Sequence, residues 1–185
     1  MEKFLNWNDH FRKTNWYVIT GGPSSGKTTT VNLLKARGFK TTIEHARHYL
    51  DSQRINGKTA EKLRKNQEEF QLRVLQMQIA QENEIAADDL VFLDRAIPDS
   101  LAYHHFLKLP ENKKLLEAMR NVSYKKVFIL DLLPLVKDYA RIEDEAAQKR
   151  IHELIIDVYQ SLPFPIVFVP PLEAAERVDF ILKNL

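Results

Sequence analysis

Eight consecutive residues, Gly21-Gly22-Pro23-Ser24-Ser25-Gly26-Lys27-Thr28, form a complete G-x-x-x-x-G-K-T pattern, whose residue types and spacing suit a phosphate-binding loop. Glycine lets the backbone curl tightly enough for successive N–H groups to converge on one phosphate. A helix opening near Lys27 adds the positive end of its dipole. Lys27 is spaced to reach the β- and γ-phosphates of a nucleoside triphosphate, and the Thr28 hydroxyl to ligate Mg²⁺. The run Trp16-Tyr17-Val18-Ile19-Thr20 before the loop reads as a strand, and Val31, Leu33 and Leu34 after it mark a helix. Gly21 to Thr29 are therefore the expected nucleotide-binding residues, with ATP the expected ligand and GTP an open alternative. An ordinary glycine-rich turn is the competing reading.

Other residues carry chemistry that such a loop needs nearby. Asp94 follows the apolar run Leu90-Val91-Phe92-Leu93, the position of the second acidic site of phosphate-loop enzymes. A carboxylate there holds Mg²⁺ through its water shell, or else caps the next helix. Arg95 is suited to fork onto phosphate or ribose oxygens of an acceptor, or to form a salt bridge across a cleft. Glu44 is placed to take a proton from an attacking hydroxyl opposite the γ-phosphate, and equally suits the start of a helix. Arg47, one turn on, can support substrate or pair with Glu44. Residues Asp138 to Asp144 read as a cover whose Arg141 closes over the transferring phosphoryl, with Arg150 in reserve; a solvated charged loop is the alternative.

Weaker features carry less. His45 and His48 share a helical i, i+3 spacing, yet a zinc site needs further ligands that the sequence does not supply. His104 and His105 are adjacent and cannot face one point on a helix. Gln67 and Gln71 share one helix face and can read an acceptor base, although a plain polar face accounts for them as well.

Strands alternating with helices must position these residues. Strands are expected at Tyr17–Thr20, Lys40–Ile43, Leu90–Leu93, Lys126–Leu130 and Pro165–Val169. Helices are expected from the phosphate loop to about Gly38, His45–Arg54, Ala60–Asp88, Pro98–Leu107, Glu111–Asn121, Glu145–Gln160 and Glu173–Leu182, with a short amphipathic helix within residues 1–14. Asn56-Gly57 marks a turn. In the long helix, Phe70, Val74 and Met77 form one apolar stripe and Leu72, Leu75, Ile79 and Ala86 another, which predicts burial on two sides. The alternation argues for an open parallel α/β sheet, and ligands of such sheets sit beyond the carboxyl ends of the strands. The loop, Glu44, Asp94 and Arg95 all follow strand ends.

The 185 residues suit a single domain, residues 1–185, and 44% apolar with 28% charged residues are ordinary globular values. A net charge of +2 gives no reason to expect nucleic acid. No cysteine is present, which excludes disulfides and thiol catalysis and fits a reducing cytoplasm. No apolar stretch approaches the length of a membrane span.

The phosphate loop together with Glu44-His45-Ala46-Arg47, Leu93-Asp94-Arg95, Arg141-Ile142-Glu143 and Glu176-Arg177-Val178 resembles a family of small ATPase and kinase domains. It is similar to the ribosylnicotinamide kinase domain of bacterial NAD regulators and, more distantly, to deoxynucleoside and thymidylate kinases. The resemblance runs from about Trp16 to Leu182. It implies a three-layer P-loop NTPase fold with a five-stranded parallel sheet in the order 2-3-1-4-5 and a lid after strand 4, about residues 131–145. It further implies Glu44 as base, Asp94 as the Mg²⁺ contact, Arg95 as the acceptor contact and Arg141 as the lid arginine. The chain departs from the nucleoside kinases at Ala96, Ile97 and Pro98, where polar acceptor-site residues are expected.

The expected activity is Mg²⁺-dependent phosphoryl transfer from ATP to a nucleoside-like or nucleotide-like small molecule. A nucleotide-dependent switch with a macromolecular or lipid partner is the alternative, although the five glycines leave no D-x-x-G motif in the later chain. An AAA-type motor would need an acid pair after strand 3, where this chain has Asp94 followed by Arg95. Oligomeric state is left open by the sequence.

Overall fold

The computed structural model describes residues 13–55, 65–136 and 144–185, apart from the Arg54 side chain. The expected helix within residues 1–14, the Asn56-Gly57 turn, and Arg141 with the middle of the expected lid lie outside the described residues.

The elements follow the chain in alternation. β1 is Trp16–Thr20, α1 Lys27–Ala36, β2 Lys40–Thr41, α2 His45–Ile55, α3 Gln67–Glu84 and β3 Val91–Asp94. Then come α4 Ile97–Leu107, α5 Lys113–Met119, β4 Lys126–Leu130, α6 Glu145–Gln160, β5 Ile166–Val169 and α7 Ala174–Lys183. The strands form one five-stranded parallel sheet in the order β2-β3-β1-β4-β5. β1 lies at the centre, with Ile19 opposite Asp94 on one side and Thr20 opposite Ile129 on the other.

Period-two alternation along β1 explains the three layers. Trp16 and Val18 face one core with Leu93, Val127 and Ile129, covered by α3, α4, α5 and α6 through Leu75, Ala102, Met119, Ile151 and Ile155. Tyr17 and Ile19 face the other core with Phe92, Phe128 and Leu130, covered by α1 and α7 through Val31, Leu34, Val178 and Ile181. Both faces of the central strands are apolar because both are covered.

The two stripes of α3 separate as expected. Phe70 and Val74 pack with Leu50 of α2, while Leu75 joins the main core with Ile79 against it. The helix is shorter than its apolar pattern suggests. It begins at Gln67, after Asn66 whose side chain accepts the Glu69 N–H at 3.1 Å, and it ends at Glu84. An N-cap residue whose oxygen satisfies a free N–H fixes a start that apolar spacing alone does not show. Strand β2 is also shorter than expected, two residues rather than four, because the Asp94 N–H donates to the Thr42 hydroxyl at 2.8 Å rather than to a backbone carbonyl of β2, which ends the ladder.

Candidate functional site

The phosphate loop leaves the carboxyl end of β1 and enters α1 at Lys27, as strand–loop–helix geometry requires. Gly26 has φ 79°, a left-handed conformation that glycine alone adopts at little cost. A Cβ there would meet Arg177 Nη1 at 2.0 Å. That guanidinium, on α7, donates to Ser25 O at 3.0 Å and to Leu172 O at 3.0 Å, so it braces the loop from behind. From α6, Gln148 donates to Pro23 O at 2.9 Å and Leu133 O at 3.1 Å, and the Gly22 N–H donates to His152 Nδ1 at 3.1 Å. The loop is thus held by two helices from the distant C-terminal part of the chain.

Lys27 is buried, with Nζ donating to Gly21 O, Gly22 O and Ser25 Oγ at 2.9, 2.7 and 3.1 Å. Burial lowers its pKa most, with Arg95 adding to the effect; Glu44, Asp94 and Asp99 pull the other way. An arriving phosphate would supply the negative charge that this ammonium favours.

Asp94 closes β3 and is 3% exposed. Its Oδ1 has no hydrogen-bond partner among the described residues, and burial followed by the charge of Glu44 raises its pKa. A buried carboxylate oxygen without a donor suits a cation. With the Thr28 hydroxyl it offers hard oxygen ligands of the kind Mg²⁺ takes alongside water and phosphate. No three His, Cys, Asp or Glu among the described residues are arranged to hold a metal. Capping of the following helix falls to Asp99, whose Oδ2 accepts the Ala96 N–H at 3.0 Å, rather than to Asp94.

Arg95 sits at φ 64°, a left-handed conformation that costs a non-glycine residue about 1–2 kcal/mol. Its guanidinium meets Asp99 Oδ1 at 3.0 Å, Glu44 Oε1 at 3.5 Å and the Tyr103 hydroxyl at 3.4 Å. Burial opposes its charge, but Tyr103, Asp99, Glu44 and Asp94 hold it protonated. Arg47 approaches the other oxygen of Glu44 at 3.7 Å. Both salt-bridge readings therefore hold: Glu44 stands between Arg47 and Arg95.

Pro23 to Thr28 and the side chains of Glu44, Arg47 and Arg95 line one cavity of about 340 Å³. Its far wall is apolar and amide-bearing, with Phe70, Val74 and Tyr103 beside Gln71 and Gln78. Gln67 also lines the cavity and Gln71 is buried, so the face of α3 that these two share turns to the cavity, as does buried Gln78. Arg150 does not line the cavity; it pairs with Glu153 at the surface at 3.1 Å. His45 lines the wall and hydrogen-bonds Gln81 at 2.9 Å, while His104 bonds Ser100 O at 2.9 Å.

Sequence reasoning missed Asp99, Gln148 and His152. An acid in the first turn of a helix reads as a cap, and its i, i+4 spacing from Arg95 predicts pairing only where both residues are helical, whereas Arg95 precedes α4. Gln148 and His152 do lie at i, i+4 on α6, which places them on one face without saying what that face meets.

No curated protein matches the chain. Among solved structures it is similar to deoxyadenosine kinase from M. mycoides with bound dCTP, at 14% identity and a TM-score of 0.64, covering 91% of this chain and 97% of that one. The same enzyme with bound dATP gives 14% identity and a TM-score of 0.63, with 91% and 98% covered. Thymidylate kinase from Ehrlichia chaffeensis gives 14% identity and a TM-score of 0.62, with 93% and 98% covered. At such identity the likeness is one of fold, and the fold is that of the P-loop kinases. A family model described as an AAA domain matches residues 16–177, from the first residue of β1 to the arginine that braces the phosphate loop, and the chain belongs to that family.

Proposed function

We propose that the protein is an Mg²⁺-dependent kinase that transfers the γ-phosphoryl of ATP to a hydroxyl of a nucleoside-like or nucleotide-like small molecule. The observation that carries this reading is the shared cavity: Glu44 lines the same space as the phosphate loop and stands between two arginines. GTP is the alternative donor. The setting proposed for it is the cytoplasm, a compartment that supplies Mg-ATP. Among the described residues no helix is long and apolar enough to cross a membrane.

In this mechanism Glu44 takes the proton of the acceptor hydroxyl as its oxygen bonds to the γ-phosphorus. The bond to the β–γ bridging oxygen breaks, and ADP leaves with that electron pair. Gly21 to Thr29 cradle the phosphates, and Lys27 follows the charge onto the β–γ oxygen. Arg95 holds the acceptor, with Arg47 supporting Glu44. Arg141 is assigned to the transferring phosphoryl from its place in the sequence. Thr28 and Asp94 are the residues that would hold Mg²⁺, which would supply charge neutralisation to the phosphates.

The test is ADP release from Mg-ATP, with and without a panel of nucleosides, ribosylnicotinamide and nucleoside monophosphates. Lys27→Ala serves as the blank. Strong stimulation by one acceptor, absent in the blank, supports the kinase. Glu44→Gln should keep nucleotide binding and lose about 10²-fold or more of transfer, the usual share of a general base. Slow turnover indifferent to every acceptor would replace the kinase with a nucleotide-dependent switch acting on a macromolecule or lipid.

A further inference from the structure

Asp99 is 1% exposed, and four donors from three parts of the fold converge on its two carboxylate oxygens. Oδ1 accepts from Thr20 Oγ1 at 2.6 Å and from Arg95 Nη1 at 3.0 Å. Oδ2 accepts from the Ala96 N–H at 3.0 Å and from the Tyr159 hydroxyl at 2.7 Å. Thr20 is the last residue of β1, directly before Gly21 of the phosphate loop. Tyr159 lies on α6, the helix that also grips the loop through Gln148 and His152.

We propose that Asp99 is a positioning residue: it fixes the Arg95 guanidinium to the root of the phosphate loop, so that acceptor and phosphoryl donor are aligned in one frame. The proposal rests on the reading of Arg95 as the acceptor contact. Arg95 needs such an anchor because its backbone is left-handed and its remaining contacts, to Tyr103 at 3.4 Å and Glu44 at 3.5 Å, are longer. The anchor also divides labour between two carboxylates on one arginine. Asp99 is engaged by four donors with its side chain 2% exposed, whereas the Glu44 side chain is 18% exposed and meets Arg95 and Arg47 at the longer distances of 3.5 and 3.7 Å. A helix cap alone would need only the Ala96 N–H and would not explain Thr20 or Tyr159.

Two measurements decide it. In protein carrying ¹⁵N-arginine, the Arg95 Nε–H signal is identified by its loss in Arg95→Lys. Asp99→Asn should shift and broaden that signal, and Thr20→Val and Tyr159→Phe should each shift it less. Should Asp99→Asn fail to fold, the two milder variants carry the test. An Arg95 signal unmoved in the folded variants overturns the proposal. In the second measurement, the panel nucleoside with most turnover should show a KM raised about ten-fold in Asp99→Asn, while the Kd of a fluorescent ATP analogue stays within about two-fold; in an Arg95→Lys background the same change should add less than about two-fold. Effects that multiply in the double variant would show that Asp99 acts independently of Arg95 and would sink the idea. A panel without any turnover would count against the kinase, while the arginine signal would still decide the role of Asp99.

Discussion

At the residue scale, side-chain space is already taken at all three glycines of the phosphate loop, Gly21, Gly22 and Gly26. Gly26 combines a left-handed φ of 79° with the Arg177 guanidinium 2.0 Å from where a Cβ would lie. Gly26→Ala therefore costs about 1–2 kcal/mol in backbone strain and also pushes Arg177 off Ser25 O and Leu172 O. We expect titration with a fluorescent ATP analogue to show at least a ten-fold loss of affinity, with the rest of the fold intact by circular dichroism. Unchanged affinity would mean that the loop does not need this brace. Gly22 meets the same kind of limit, since a Cβ there would lie 2.9 Å from His152 Cβ.

At the scale of elements, the strand–loop–helix unit and the limits of β4 and α6 were legible, because apolar runs and turn residues agree there. Glu44, Asp94 and Arg95 could be singled out since each lies at or just after the expected end of a strand. The sheet order was not legible from the pattern: every central strand is apolar on both faces, so only the resemblance supplied 2-3-1-4-5. Partners separated by more than a hundred residues, such as Gly22 and His152 or Ser25 and Arg177, leave no mark in local spacing. The junction of α3 with the N-terminus of α4 shows a further hidden relation. Glu82 Oε1 accepts from the Ile97 N–H at 3.3 Å and Oε2 from the Tyr124 hydroxyl at 3.0 Å. Burial pushes its pKa up to about 8, against the pull of those two donors, with Asp99 adding to the rise. The folded chain thus holds this proton more tightly than the unfolded chain. The associated stability is complete below about pH 4.5, the ordinary glutamate value, and is lost as pH rises toward about 8. Glutamine keeps the acceptor oxygen and carries no charge, so Glu82→Gln should be more stable than the parent at pH 8 and gain much less at pH 5. Equal gains in urea unfolding at both values would show that no ionisation cost exists here.

Across the whole molecule, the phosphate-loop end of the sheet is assembled from distant halves. The N-terminal unit supplies the phosphate loop, and helices α6 and α7 clamp it. His152 is the titratable member of that clamp. Its Nδ1 accepts the Gly22 N–H, which requires the ring to be unprotonated at that nitrogen. Burial lowers its pKa most; among the charges around it Lys27 acts in the same direction, and Asp131 and Glu153 oppose. Burial likewise lowers His45 and His104. A histidine with a lowered folded pKa binds its proton more readily in the unfolded chain. Its contribution is therefore complete above the ordinary value of about 6.5 and is lost as pH falls below it. His152→Asn retains a side-chain oxygen to accept the Gly22 N–H but cannot titrate. Its unfolding free energy should accordingly fall less than the parent's between pH 7 and pH 5. Affinity for the ATP analogue should weaken over the same interval in the parent and less so in the variant, since a protonated ring releases the loop. Parallel pH profiles for the two proteins, in both stability and affinity, would show that the clamp does not respond to this proton.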